Sequence, residues 1–215
     1  MSSRNIEWSE RAMSAGRKRT FDKSDALDKA MRVFWRNGYS GTSVTDLTEA
    51  LGINKPSLYA AFGNKEQLFG AALEHYSSHY GAPILERLTE PPEAPVTERI
   101  RAYMLGITDL VSNKALPKGC FIVKSNCEAG GSAIPDEISL SLHSMRSAHQ
   151  QALRKVVETE QKRGLLQQTN KPGDIAEYLL SVLYGISVLA RQGKSRKELL
   201  KVVDIAINAL PLPVR

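Results

Sequence analysis

Cysteine is almost missing from this chain, with Cys120 and Cys127 the two present. Two thiols do not build a disulfide framework, so a small stapled secreted fold is excluded. Long apolar runs are missing too. None approaches the roughly 18 uninterrupted residues of a membrane span. The opening MSSRNIEWSERAMSAGRKRT holds no apolar stretch of the secretory-signal kind. A cytoplasmic location with no membrane partner is therefore expected. Four histidines are scattered through the sequence. His75 and His79 stand one helical turn apart, but no third ligand is evident nearby, so no metal is expected. There is no glycine-rich phosphate loop, and GYSGTS lacks the second glycine of a nucleophile elbow. No catalytic residue or cofactor emerges, and the chain does not read as an enzyme. Internal repeats and low-complexity tracts are absent. Strand patterning is confined to residues 121–123, too short to outweigh its surroundings.

What the sequence does have is helical periodicity and positive charge. Its 215 residues are 42% hydrophobic and 24% charged, enough for one sizeable core or a small domain plus a larger one. The formal charge of +6 and a pI near 9.3 favour anionic partners. The dense basic cluster is Arg17, Lys18 and Arg19, just before the first helical segment. Residues 22–37 place Leu27, Ala30, Met31 and Phe34 on one face, and Gly38 stops the run. Residues 44–51 follow, with Ser43 and Asp46 at capping-box spacing. Asn54 can cap a third helix through Phe62, where Pro56 falls harmlessly in the first turn. Asn64 and Gln67 open a fourth helix to about residue 80. GAPILERLTEPPEAPV, with four prolines, reads as a linker. Further helices are expected over residues 97–113, from a cap at Asp136 to about 163, over 174–192, and from the Ser195/Glu198 capping box to about 210. CFIVKSNCEAG reads as a short apolar segment.

The fold class is thus all-α. Three short N-terminal helices lead through a linking helix into a larger helical body. The second and third helices, joined through Leu51-Gly52-Ile53-Asn54, have helix-turn-helix spacing. Leu47, Leu51, Ile53 and Leu58 can pack them together. The other face of the third helix then keeps Asn54, Lys55, Ser57 and Tyr59, donors suited to phosphates and base edges in a major groove. Phe34, Trp35, Leu58, Phe62 and Phe69 are expected in the core, and Tyr39 as packing with its hydroxyl satisfied.

The run AMRVFWRNGYSGTSVTDLTEALGINKPSLYAAFGNKEQLF, residues 30–69, resembles the TetR family of bacterial transcription regulators. It carries A-x-x-x-F, G-Y-x-x-T-S and L-Y-x-x-F-x-x-K-E-x-L-F in order and without a gap. The resemblance implies a DNA-binding domain over residues 21–68, preceded by a flexible basic arm, residues 1–20. An effector-binding and dimerisation body, residues 69–215, would follow. It implies phosphate contact by Thr42 and Ser43 at the start of the second helix, where the dipole assists. It also implies base-facing positions at Lys55, Pro56 and Ser57, a backbone-holding Tyr59, and a phosphate contact at Lys65. Asn54 belongs to the same surface, and Arg17, Lys18 and Arg19 could reach an adjacent minor groove. Two departures stand out. Pro56 replaces a frequent glycine, and Ala61 replaces a frequent histidine, removing one phosphate contact.

For the body, the resemblance implies a small-molecule effector and a homodimer on a roughly palindromic double-stranded operator. Tyr76, Tyr80, Tyr103, Cys120 and Tyr184 are the candidate effector residues, mixing apolar faces with polar tips. Leu179, Leu183, Ile186, Leu199, Val203 and Ile207 lie on two very apolar helices and are the candidate dimer interface. The expected function is a ligand-responsive, sequence-specific repressor. One alternative is a redox or electrophile sensor acting through Cys120, with Lys118 or Lys124 lowering the thiol pKa. A second is a non-specific architectural DNA-binding protein.

Overall fold

The computed structural model describes residues 22–129 and 134–212, so Arg17, Lys18 and Arg19 lie outside the described residues. The described elements are all helical. The N-terminal unit comprises α1 (Lys23–Asn37), α2 (Val44–Leu51), α3 (Lys55–Phe62) and α4 (Lys65–Tyr76). A π-helical turn, Ser77–Gly81, then leads into α5 (Ala82–Leu85) and a 3-10 turn, Glu86–Leu88. The body holds α6 (Val96–Ser112), α7 (Phe121–Ala129), α8 (Asp136–Lys162), α9 (Pro172–Arg191) and α10 (Arg196–Asn208).

The caps follow from side-chain chemistry. Asp22 accepts the N–H groups of Ser24 and Asp25, and reciprocal capping boxes open α2, α4 and α10. Asp136 does not cap α8. Pro135 occupies that position, and Asp136 is the first helical residue, where its charge still complements the dipole. The proline-rich linker begins later than expected. Pro83 falls in the first turn of α5, where a missing N–H costs little. The preceding wide turn, with Ala82 N–H on the Ser77 carbonyl, brings the helix up to it. CFIVKSNCEAG becomes α7 because Phe121, Val123 and Ser125 all bury.

Two apolar clusters organise the molecule. The first joins Phe34, Leu47, Leu58 and Phe69 of the N-terminal unit to Phe121 of α7 and to Ile138 and Leu142 of α8. The second gathers α6, the C-terminal half of α8, α9 and α10 around Met104, Val157, Leu180 and Val203. Leu110 and Cys120 pack against both.

This packing corrects the expected dimer interface. Leu179, Leu183, Ile186, Leu199, Val203 and Ile207 are all buried within the protomer's own core. The apolar ridge of each helix serves that core first. The apolar side chains that α9 and α10 leave outside are Tyr178, Val188 and Ile205, the last 68% exposed. By length and composition alone α9 is apolar enough to cross a membrane, a test that the core helix of a globular protein also passes. Here Ile175, Leu179, Leu183 and Ile186 bury it as a core helix.

One ion pair stands inside the body. Arg99, fully surrounded, donates to the carbonyls of Ala94 and Leu88 and, at 2.8 Å, to Glu160 Oε1. Glu160 Oε1 also accepts from the half-exposed Arg163 at 3.1 Å, so removing Arg99 leaves a buried carboxylate with that outer partner alone. Arg99→Ala should lower unfolding stability by about 3 kcal/mol, read as a drop in the urea midpoint with unchanged slope.

Candidate nucleic-acid interface

Gly52 makes the turn between α2 and α3, with φ 67° and ψ 33°, a left-handed conformation that favours glycine. Its N–H returns to the Glu49 carbonyl and that of Ile53 to Thr48, closing α2 in a Schellman motif. Leu58 is fully buried and seats α3 on the first cluster beside Leu47. Leu51, Ile53 and Phe62 pack at its margin. Asn54, Lys55, Pro56, Ser57 and Tyr59 are left exposed together, Tyr59 at 47%. Asn54 Oδ1 accepts the Ser57 N–H at 2.9 Å, so this side chain starts the helix as well as facing outward.

The start of α2 lies near Lys65, whose charge acts on Asp46. Ser43 is exposed, and its hydroxyl both accepts from Asp46 N–H and donates to Asp46 Oδ2. Thr42 departs from expectation. It is buried, and its hydroxyl donates to the Gly38 carbonyl at 2.6 Å, fixing the entry to α2 instead of facing outward. Lys65 Nζ rests 4.1 Å from the Tyr39 ring centre, a cation–π seat that holds the ammonium in place. Burial lowers the Lys65 pKa, opposed by the charges of Glu66, Asp46 and Glu128. Tyr39 is buried, donates its hydroxyl to Glu66 at 2.6 Å, and donates its N–H to Glu128 of α7 at 2.9 Å. A Cβ at Gly38 would stand 1.9 Å from Glu128 Oε1, and φ there is +85°. This close approach ties the N-terminal unit to α7.

The candidate effector residues collect around Cys120. The Tyr76 hydroxyl donates to Cys120 Sγ at 3.3 Å. Tyr103 is buried and hydrogen-bonded to His149 Nε2. Burial raises the pKa of Tyr76, Tyr103 and Tyr184, and nearby Cys120 adds to each shift. Tyr80 sits further out, 5.4 Å ring to ring from Tyr76, and accepts a hydrogen bond from Arg32. Cys120 also borders a cavity of about 270 Å³ with Cys127, Ser187 and Val188. A second cavity, of about 570 Å³, lies between α5 and α8, with Leu88, Val156 and Glu160 in its lining.

The thiol does not behave as Lys118 and Lys124 suggested. Burial pushes the Cys120 pKa up, more than the Tyr76 hydroxyl and local backbone bonds pull it down. Lys124 spends its ammonium on the carbonyls of Trp35 and Arg36 at the end of α1. His75 and His79 stack with their rings 5.7 Å apart, and no cluster of three metal-ligating side chains occurs among the described residues. Sequence reasoning missed Glu128 and His149. Their partners lie 89 and 46 residues away, and no spacing signal points to them.

These elements define a helix-turn-helix protein with a helical body. Residues 26–72 match bacterial regulatory proteins of the tetR family, and residues 96–205 match the tetracyclin repressor-like C-terminal domain. The chain belongs to the TetR family. It is 34% identical to the HTH-type transcriptional repressor ComR of Escherichia coli (strain K12), across 92% of this chain and 93% of ComR. The HTH-type transcriptional repressor BdcR, from the same strain, is 26% identical, across 91% of this chain and 92% of BdcR. A cysteine mutant of the TetR family regulator CifR, solved with a 26bp double-strand operator DNA, is 34% identical with a TM-score of 0.82. That match covers 91% of this chain and all of CifR's. The reduced form of E.coli NemR, at 20% identity and TM-score 0.77, shares the fold across 90% of this chain and all of NemR's.

Burial lowers the His149 pKa from 6.5 to about 4. The unfolded chain then takes up this proton first as pH falls. The contribution is whole above about 6.5 and is lost on the way down to about 4. His149→Gln keeps an acceptor for Tyr103 without titrating. It should flatten that part of the acid limb when urea midpoints are compared at pH 7 and pH 4.5.

Proposed function

We propose that this chain is a sequence-specific, ligand-responsive transcriptional repressor that leaves its operator when a small-molecule effector binds. The polar face of α3, exposed above the buried Leu58, carries the reading. A helix held by one apolar face can lay its other face in a major groove. Relatives named as repressors, and CifR seen on operator DNA, support the same role. The role is binding rather than catalysis, exercised in the cytoplasm where the DNA is.

In this reading, residues 21–68 form the DNA-binding domain and residues 69–215 the effector-binding and dimerisation domain. Lys55, Pro56 and Ser57 face bases. Tyr59, Ser43 and Lys65 hold phosphates, and Asn54 borders them. Thr42 positions the start of α2. Arg17, Lys18 and Arg19 extend the contact as a basic arm. The effector is met near Cys120, Tyr76, Tyr103 and Tyr184, with Tyr80 at the edge. The homodimer forms on the outer apolar side chains of α9 and α10, Tyr178, Val188 and Ile205, and places two α3 helices on a roughly palindromic site.

The test is binding to the DNA upstream of the chain's own gene, against scrambled sequence, over a salt series. A repressor keeps its site preference at every salt; an architectural protein shows none. Lys65→Ala should weaken all sequences alike and reduce the salt slope by about one. Ser57→Ala or Lys55→Ala should instead change which site is preferred, and Tyr59→Ala should cost operator affinity about tenfold. Unchanged affinity on Tyr59→Ala would mean that α3 is not the recognition helix. Ile205→Glu should shift the sedimenting species from dimer to monomer.

A further inference from the structure

A cleft of about 410 Å³ opens between the end of α1, the loop from α6 to α7, and the end of α9. Its lining includes Arg32, Arg36, Lys114, Lys118 and Arg191, with Trp35 beside them and no carboxylate. Arg32 is engaged, held by Asp28 at 2.7 Å. Arg36, Lys114, Lys118 and Arg191 have no carboxylate within ion-pair distance among the described residues. These four come from three separate elements, so their convergence is a product of the fold and not of a charged tail.

We propose that this cleft binds a small polyanion, a phosphate- or polycarboxylate-bearing metabolite. Like charges converging without counter-charge repel one another, and a ligand with two or more negative groups relieves that repulsion at several contacts together. Arginine offers forked donors that suit phosphate and carboxylate equally. The volume lies in the usual range for small-molecule sites. The field reaches beyond the lining. Lys124 nearby falls to about 8, through burial first and the charge of Arg191 second.

The position gives the ligand leverage. Arg36 follows Trp35, whose indole N–H donates to the Gly119 carbonyl at 3.0 Å. An anion held by Arg36 on one side and Lys114, Lys118 and Arg191 on the other clamps the N-terminal unit to the body. Arg191 also borders the Cys120 cavity. The effect on operator affinity rests on the repressor reading; the binding itself does not.

The experiment uses the full chain with Trp8→Phe, leaving Trp35 as the single tryptophan, at constant ionic strength. Inorganic pyrophosphate and citrate are titrated separately, so the arms distinguish phosphate from carboxylate ligands. A saturable change in Trp35 emission below about 1 mM with either probe is expected. Arg36→Gln with Arg191→Gln, and separately Lys114→Gln on the exposed loop, should each weaken binding at least tenfold. Lys201→Gln, an exposed cation of α10, should leave it unchanged. A linear, unsaturable response to both probes overturns the proposal, as does an equal loss in the Lys201 variant. Operator affinity is read on the same proteins without added anion. If the cleft variants lose operator binding, the cations are DNA contacts and the proposal falls. If the wild type binds anion but prefers no operator, the repressor reading fails while the anion site stands.

Discussion

The structure hangs on the junction at Gly119 and Cys120. There the indole of Trp35 donates to the Gly119 carbonyl, the Cys120 N–H donates to Ser187 Oγ at 2.8 Å, and the Tyr76 hydroxyl meets the Cys120 sulfur. Four helices, α1, α4, α7 and α9, are joined within two residues of chain. Gly119 permits it: φ is +81°, and a Cβ would lie 3.1 Å from the Ser187 carbonyl. Every buried polar group here has a partner, so the site is specified by geometry as well as by apolar area. Burial holds the Cys120 thiol pKa above its ordinary value at this crossing point, while part of the residue borders the neighbouring cavity.

A second tie runs parallel to it. Glu128 of α7 receives the Tyr39 N–H, and Lys124, one turn earlier, caps the carbonyls of Trp35 and Arg36. α7 thus grips both the end of α1 and the turn after it. Tyr39 in turn seats Lys65 and bonds Glu66 at the start of α4. α7 is thus linked to Lys65 at the start of α4 through two contacts, the Glu128–Tyr39 hydrogen bond and the Tyr39–Lys65 cation–π seat.

Much of this was legible in the sequence. The first three helices fell within a residue of expectation because each has a local cap and stop: Asp22, Ser43 and Asn54, then Gly38, Gly52 and Gly63. α4 starts after its Asn64 cap as expected but ends at Tyr76, short of residue 80, where the ladder changes to a π-turn with no sequence stop. The exposed face of α3 was readable from the one deep apolar residue, Leu58. Readings failed where two elements compete for the same apolar face. Leu179 and Leu199 look identical from sequence whether they bury in one chain or between two. Pro83 reads as a break unless the wide turn before it is known. Thr42 reads as an outward hydroxyl, but its Oγ1 finds the Gly38 carbonyl first. The cleft cations lie far apart in sequence and share no pattern.

The wide turn has one more implication. From Lys65 to Tyr76, α4 is an uninterrupted rod of 12 residues, about 18 Å long. Ser77–Gly81 then loosens the ladder, where one N–H reaches back five residues instead of four. The change of spacing falls just past Tyr76, the residue whose hydroxyl touches Cys120, and a π-turn is a place where helices bend. Tyr76 is the last residue of the regular rod and Lys65 its first, so the cysteine junction and the cation seated on Tyr39 stand at opposite ends of one helix.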